Sequence, residues 1–190
     1  MSDPPICLET DRLFVRAPLA PELAGEVCRF QSRNKTHFAR WDPRRSPAFY
    51  SEPYWVEQLH LDAEDLHSGR RARFFVSAKT APSRVIGHVH FANIARGAFC
   101  ACHLGFAIDQ VLEGTGTMYE ALFAAIEWAF DDLTLHRIEA NHRPENARSG
   151  ALLRRLDFVP QGYARDYLRI DGAWRDHVLT ALTNDSWAAD

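Results

Sequence analysis

Apolar and polar positions follow regular periods along most of the chain, and those periods predict its helices and strands. Residues 10–16 alternate over their second half, which predicts a half-buried first strand that ends near Pro18. Pro21 suits the first turn of a helix, and apolar residues then recur at helical spacing as far as Phe30. The chain therefore begins with a strand followed by a helix.

The rest of the chain alternates between the two periods. A helix is predicted to start at Ser51 as its N-cap and to stop at Gly69. Strands that come first in an antiparallel run and then alternate with helices predict a mixed α+β sheet covered by helices, and a doubly wound parallel sheet fits less well. The later predicted elements are strands at 73–78, 85–94 and 99–108, a helix at 116–131, a strand at 135–141, a helix at 146–156, and a hairpin of 163–170 and 174–182.

A glycine turn separates an apolar strand from the helix predicted at residues 116–131. Gly114 and Gly116 lack the Cβ that would keep backbone N–H groups away from an anion, and the helix adds the positive end of its dipole. This arrangement is typical of a phosphate-binding turn. An ordinary strand-to-helix turn explains the same residues. The turn comes too late in the chain, and has one glycine too few, for an N-terminal dinucleotide-binding unit.

The segment 34–51 shows no sustained period although it is rich in aromatic residues. Phe38, Trp41, Phe49 and Tyr50 either fix this loop onto the core or line a binding cleft. The sequence leaves both interpretations open.

Composition narrows the class of protein. A chain of 190 residues fits one domain, 1–190. The net charge of −3 gives no overall field that attracts nucleic acid, so no sequence-specific nucleic-acid binding is expected. The sequence has neither an apolar stretch long enough to cross a membrane nor a signal peptide at its start, which predicts a cytoplasmic protein without a membrane partner.

The four cysteines form neither a zinc-ribbon pattern nor a disulfide framework. They are interpreted as reduced thiols, and no metal is expected. Cys100 and Cys102 lie two apart on a predicted strand and should therefore pack on one face.

Several motifs together resemble the GNAT acyl-CoA N-acetyltransferases, and within them the ribosomal-protein alanine N-acetyltransferase group. The resemblance covers residues 8–185. It implies a mixed, mostly antiparallel twisted sheet of about seven strands flanked by helices, with acetyl-CoA as co-substrate. The motifs are Glu113-Gly-Thr-Gly116, Asn146-x-x-Ser149, Leu156-Asp-Phe158, Thr10-Asp-Arg-Leu13, His37-Phe38, Trp41-Asp-Pro43, Phe91-x-Asn-Ile94, Arg96-Gly97, Asp166-Tyr-Leu168 and Ile170-Asp-Gly-x-Trp-Arg-Asp-His177.

The resemblance also implies where acetyl-CoA binds. The pyrophosphate would lie on the glycine turn, the pantetheine would pair with the preceding strand, and the thioester would end near the Asn-x-x-Ser motif. The implied cofactor-binding residues are Phe106, Ala107, Ile108, Glu113, Gly114, Thr115, Gly116, Thr117, Met118, Asn146 and Ser149.

Three positions depart from the family pattern. Glu113 stands where Gln or Arg is usual, Met118 where Gly or Ala is usual, and Asp157 where a glycine usually closes the helix. A carboxylate near a pyrophosphate is unfavourable by about 1 to 4 kcal/mol at 4 Å. We therefore expect the Glu113 side chain to point away while its backbone N–H serves the ligand.

Acetyl transfer to an amine needs a base for the amine and a proton for the departing sulfur. His103 is the first candidate base, Glu139 is a second, and Asn141 could only hold a water. Ser149 is the candidate acid, since Leu153 occupies the place of a tyrosine that often acts as acid in the family. For each of these residues a structural role alone is the alternative.

The acceptor is the least determined part of the prediction. Trp41, Asp42 and Tyr167 are predicted to line its cleft. An N-terminal α-amine, with a reference pKa of about 7.7–8.0, needs only a modest base, which suits direct attack in a ternary complex on the N-terminus of a ribosomal or similar protein. The alternatives are a small-molecule amine as substrate, a non-catalytic CoA-binding module that associates with the ribosome, and a nucleotide-binding protein. A homodimer is among the expected assemblies.

Overall fold

Eight strands form one sheet in the computed structural model, which describes residues 6–17 and 21–188. They lie in the order β1-β2-β3-β4-β5-β6-β8-β7. Their bounds are β1 Cys7–Glu9, β2 Leu13–Arg16, β3 Ala72–Ala78, β4 Gly87–Ala95, β5 Ala101–Ile108, β6 Arg137–His142, β7 Val159–Ile170 and β8 Ala173–Thr183.

All neighbouring strands pair antiparallel except β5 and β6. That parallel pairing covers only three residues of β5, from Ala101 to His103, although β5 continues to Ile108. The two strands therefore separate beyond His103 and leave a gap inside the sheet. The predicted mixed, mostly antiparallel class is confirmed. The sheet has eight strands and not about seven, because residues 7–16 form two short strands around a turn.

Helices cover both faces of the sheet. The helices α1 and α3 lie on one face, α4 and α5 lie on the other, and α2 follows α1 directly. Short 3₁₀ helices lie at Pro21–Leu23, Pro47–Tyr50 and Gln110–Leu112. The helix bounds are α1 Ala24–Arg33, α2 Lys35–Phe38, α3 Glu52–His67, α4 Thr117–Asp131 and α5 Ala147–Arg155.

The larger core lies between the sheet and the helices α4 and α5. Alternate residues of the central strands point into it, among them Phe74, Phe91 and Leu104. Leu122 and Ala125 of α4 meet them and are fully buried. Each large apolar side chain buried in this way contributes about 1.5–3 kcal/mol of transfer free energy, which holds α4 and the turn before it against the sheet.

The smaller core joins α1 and α3 to the opposite face through Phe30 and Leu59. It also answers the open question about the aromatic segment. Phe38 and Phe49 are buried in this core, and Trp55 Nε1 donates a hydrogen bond to the Phe49 carbonyl oxygen at 2.8 Å. Part of the segment is thus fixed onto the core, and it contains α2 and a 3₁₀ helix where the sequence predicts a loop.

Several local predictions are confirmed at their boundaries. Gly69 follows α3 with φ +67°, and the hairpin turns at Asp171 and Gly172 with φ +47° and +78°. Ser51 occupies the N-cap position of α3, but its hydroxyl donates to the Ala48 carbonyl oxygen and caps no helical N–H. The predicted strand end at Pro18 lies outside the described residues.

The expectation that Cys100 and Cys102 pack on one face is confirmed, since both contact the larger core, although only Cys102 belongs to β5. Cys100 precedes β5 with φ +39°, outside the pleat, and its thiol donates to the Thr134 carbonyl oxygen. Cys102 lies in the larger core, where burial raises the pKa of its thiol to about 12. Such a thiol is not a nucleophile at neutral pH.

Candidate active site

The candidate active site is a cavity of about 380 Å³ at the gap between β5 and β6. The free end of β5, the glycine turn, α4, α5 and α2 all contribute to its wall. The residues 104–108 of β5 pair with β4 on one side only, within the part of the chain that the structure describes. Their other backbone edge is therefore free to pair with an extended ligand. Of the predicted cofactor-binding residues, the cavity is lined by Phe106, Ala107, Ile108, Glu113, Gly114, Gly116, Met118, Asn146 and Ser149.

The glycine turn has the geometry that an anion site requires. Gly114 and Gly116 both have φ near +78°, a conformation that side chains rarely allow, and nothing lies within 4 Å of a Cβ built at Gly114. Gly116 is the N-cap of α4 and provides no side-chain cap, so the amides of the first turn remain without an intrahelical partner. These amides and the helix dipole together favour a phosphate.

Two other amides of this turn are already used. The N–H of Glu113 donates to the Gln110 carbonyl oxygen at 3.2 Å, and the N–H of Thr115 donates to that of Leu112 at 3.4 Å. The expectation that the Glu113 amide serves the ligand is therefore wrong. The 3₁₀ turn uses that N–H, so the amides that remain available to a ligand are those at the start of α4.

The carboxylate of Glu113 does not point away either. Its side chain is 19% exposed, contacts His37 Nε2 at 3.0 Å and forms an ion pair with Arg148. All three residues line the cavity. Glu113 therefore connects α2 to α5 across the glycine turn, because one carboxylate oxygen contacts His37 and the other contacts Arg148, whose charge compensates that of the carboxylate.

The two threonines of the turn satisfy each other. The Thr115 hydroxyl hydrogen-bonds to the Leu112 carbonyl oxygen at 2.7 Å and lies 2.8 Å from the Thr117 hydroxyl. The structure does not place either residue in the cavity wall. They stabilise the turn from behind.

The helix α5 brings Asn146 and Ser149 to the opposite wall. Asn146 is its N-cap and accepts the backbone N–H of Ser149 at 3.2 Å. The helix approaches β6 closely at Gly150, where an added Cβ would lie 2.8 Å from the His142 ring. The cap uses only the backbone N–H of Ser149. The Ser149 hydroxyl has no hydrogen-bond partner among the described residues and is therefore free to contact a ligand. Leu153 is buried in the larger core.

His103 and Glu139 are not part of the wall of this cavity. Both point to the sheet face that carries α1 and α3, with His103 Nε2 3.4 Å from Glu139 Oε2. Arg137 Nε also contacts Glu139, at 2.8 Å. The structure thus brings two candidate bases together, with the carboxylate in a position to orient the imidazole.

Asn141 follows Glu139 on the same face of β6. Its amide nitrogen donates to the Tyr167 hydroxyl at 3.2 Å, and its oxygen accepts the backbone N–H of Thr180 at 3.3 Å. Neither Asn141 nor Tyr167 lines the 380 Å³ cavity. The amide therefore joins β6 to the hairpin and positions the Tyr167 ring.

Trp41 and Asp42 both reach the cavity. Two guanidinium groups lie over the Trp41 ring, with Arg40 5.3 Å and Arg143 5.5 Å from the ring centroid. Burial raises the pKa of Asp42, while the nearby Arg45, 3.4 Å away, lowers it. Trp41 and Asp42 thus place an aromatic face and a carboxylate where an amine could enter.

The further cavity residues that sequence reasoning missed include His37, Tyr119, Arg148 and Arg155. The Arg155 guanidinium lies 4.0 Å from the centre of the Tyr119 ring. The spacing of Arg148 and Arg155 by seven residues, two helical turns, was an available signal that both lie on one face of α5. These two arginines give the cavity a positively charged wall.

The described residues contain neither a membrane-spanning helix nor a cluster of metal ligands. No helix in residues 6–17 or 21–188 is long and apolar enough to cross a membrane. Within those same ranges no three His, Cys, Asp or Glu side chains are grouped so as to hold a metal ion.

Comparison with known proteins gives one consistent family. The family model described as an acetyltransferase (GNAT) domain matches residues 12–159. The [ribosomal protein uS5]-alanine N-acetyltransferase of Escherichia coli (strain K12) is 41% identical over 184 residues, which cover 97% of this chain and 94% of that protein.

Solved structures agree with this result. The ribosomal-protein-S5-alanine acetyltransferase from Vibrio fischeri superposes with a TM-score of 0.92 at 35% identity, over 97% of this chain and all of that one. Mycobacterium smegmatis RimJ, in complex with CoA-disulfide, gives a TM-score of 0.86 at 26% identity, over all of this chain and 91% of that one.

Proposed function

This chain belongs to the GNAT acetyltransferase family, and on that premise we propose that it acetylates the N-terminal α-amine of a ribosomal protein, with acetyl-CoA as donor. The observation that carries the proposal is the cavity at the gap between β5 and β6. It combines a free strand edge, a helix N-terminus with free amides and a serine hydroxyl that has no partner among the described residues. The acceptor class follows from the 41% identity to an enzyme that acts on a ribosomal protein.

The cavity residues fit acetyl-CoA along its length. The first-turn amides of α4, with Arg148 nearby, hold the diphosphate, and the free edge of Phe106 to Ile108 pairs with the amide groups of the pantetheine arm. Asn146 and Ser149 then lie near the thioester. When bound, acetyl-CoA supplies an activated acyl group that an amine can attack directly.

The acceptor enters from the side of Trp41 and Asp42. The Asp42 carboxylate attracts the incoming ammonium group, and the Trp41 ring limits water at the point of attack. His103, oriented by Glu139, takes the proton from the amine directly or through water. Asn141 positions Tyr167 at the edge of the same cleft. The Ser149 hydroxyl gives a proton to the departing sulfur and takes one back from water, so that no alkoxide remains.

The proposal includes three statements about the protein in the cell. Residues 1–190 act as one catalytic domain, the reaction takes place in the cytoplasm where ribosomal proteins are made, and no metal takes part. Two copies of the chain are a further expectation that sedimentation of the purified protein would test.

The test is an acetylation assay with matched acceptors. Purified protein is incubated with acetyl-CoA and with peptides that carry a ribosomal-protein N-terminus, and free thiol and peptide mass are followed. We expect one acetyl group at the α-amine and none on the same peptide with a blocked N-terminus and a free lysine. Transfer only to small amines would support a small-molecule acetyltransferase instead. CoA binding without turnover on any acceptor would support a non-catalytic module.

A further inference from the structure

A second polar cavity lies on the other face of the sheet, under α1 and α3. It has a volume of about 300 Å³, and β3 and β4 form its floor. Three arginines, Arg45, Arg71 and Arg73, line it, while Asp42 is the one carboxylate in its wall among the described residues. Arginines therefore outnumber carboxylates three to one in the wall itself.

The floor of this cavity contains two histidines, each with one buried ring nitrogen that lacks a hydrogen-bond partner among the described residues. His88 and His90 alternate with core residues along β4, and the Nδ1 atom of each is buried without a hydrogen bond among the described residues. Burial, and to a smaller extent neighbouring positive charge, lowers the pKa of His90 to about 3. The same causes lower the pKa of His88 well below its usual value. Both rings are neutral at physiological pH, so each offers one N–H and one acceptor nitrogen.

The space for these rings is built into the neighbouring strand. Gly105 of β5 pairs with His90, and a Cβ at position 105 would collide with the imidazole. The absence of that Cβ lets the His90 ring lie flat across β5. Buried polar groups without partners are costly, which points to a ligand that completes them.

The arginines differ in how well they are paired. Arg73 forms a 2.8 Å ion pair with the buried Asp62. Arg71 reaches Asp65 only at 3.8 Å, and Asp65 already holds Arg70 at 2.8 Å. Arg45 lies 3.4 Å from Asp42, so Arg71 is the guanidinium with the most capacity left for a ligand. A carboxylate suits this wall, because it accepts hydrogen bonds from several donors and can bind arginine through both oxygens.

Asp42 connects this cavity to the active site, since it lines both. Resting on the proposed function, we propose that the arginine-lined cavity binds the side-chain carboxylate of an acidic residue close to the N-terminus of the acceptor polypeptide. The ammonium group and the acidic side chain of the acceptor then each lie next to groups of opposite charge. Its ammonium group lies beside Asp42, and its acidic side chain lies among Arg45, Arg71 and the two imidazoles.

The proposal is tested with peptide pairs that differ only by Glu against Gln, at each position from the second to the fifth residue. At one position we expect the Glu peptide to be acetylated with a kcat/KM about tenfold higher, the size of a hydrogen bond to a charged group. Arg71→Gln should reduce that ratio to near one and leave CoA binding unchanged. Arg29→Gln is the matched control, because Arg29 is an exposed arginine paired with Glu26 that does not line the cavity.

The outcomes separate this proposal from the proposed function. Equal rates for Glu and Gln at every position would overturn the carboxylate site while the acetyltransferase assignment stands. A preference that survives Arg71→Gln, or that is lost equally in Arg29→Gln, would overturn it as well. No acetylation of any peptide would overturn both. The comparison of Glu and Gln peptides on the wild-type protein remains decisive even if a variant fails to fold.

Discussion

The carboxylate of Glu113 gives the sharpest test of the proposed cofactor site. It lies at the turn where the diphosphate is proposed to bind, and it holds Arg148, a cation that the diphosphate would otherwise attract. Replacing it by the amide in Glu113→Gln removes one negative charge and releases Arg148. We therefore expect the variant to bind CoA more tightly than the wild type.

The size of the effect follows from the exposure of the groups involved. Two unit charges 4 Å apart interact by about 1 kcal/mol in water and about 4 kcal/mol near a protein surface. Since the Arg148 side chain is 75% exposed, solvent screens the interaction and its surface ion pair contributes little. We therefore take about 1 kcal/mol as the repulsion that Glu113→Gln removes, which corresponds to an affinity for CoA about fivefold higher.

The assay is calorimetric titration of CoA into both proteins at low and at high ionic strength. The gain should shrink as salt increases, because the repulsion that it removes is screened. Glu145→Gln is the matched control, since Glu145 is exposed, pairs with Arg143 and lies outside the cavity wall. Its CoA affinity should not change.

Weaker CoA binding by Glu113→Gln would refute this reasoning. It would mean that the carboxylate acts by holding Arg148 in place and not by repelling the ligand. The variant Arg148→Gln, alone and combined with Glu113→Gln, separates the two effects. If repulsion dominates, the gain from Glu113→Gln persists in the double variant.

The remaining predictions concern four residues. Gly116→Asp should abolish CoA binding because it adds a charge and a Cβ where phosphate approaches, and it should also lower the melting temperature because residue 116 has φ +79°; Gly116→Ala, which carries the same backbone strain without the charge, is its control. His103→Ala should lower kcat about 10²-fold, and a loss under threefold would remove His103 from the catalytic residues. Ser149→Ala should lower kcat without changing the CoA dissociation constant, and an unchanged kcat would leave Ser149 with a binding role only. Burial raises the pKa of Asp42 above 3.8, so the stability that its protonated form contributes is lost as pH rises through that raised value. The Tm of Asp42→Asn minus that of the wild type should therefore be larger at about pH 7 than at about pH 4. An equal difference at both pH values would contradict the assigned shift.

The features that could be predicted from sequence are those fixed by local chemistry. Gly114 and Gly116 signal positive φ, and Asp157, which tolerates that conformation, has φ +63° where the family pattern has glycine. Asn146 three residues before Ser149 signals an N-cap, and the cap is present. Such signals need no knowledge of what lies across the sheet.

The features that could not be predicted depend on which segments meet in space. The direction of the Glu113 side chain is set by His37 and Arg148, which lie 76 and 35 positions away in the chain. The arginine-lined cavity depends on the pairing of His90 with Gly105 across two strands. Apolar periodicity reports which face of a strand is buried, and it does not report which distant polar groups share that face.

Both outer margins of the sheet resist the addition of another strand. At one end β1 has three residues, and at the other β7 carries a proline at 160, two register shifts and a positive φ at Asp166. Such irregular margins prevent neighbouring molecules from stacking edge to edge into larger sheets. The protein thus keeps an unpaired strand edge inside its sheet, open to a ligand, while its two outer edges do not favour pairing with other copies of the chain.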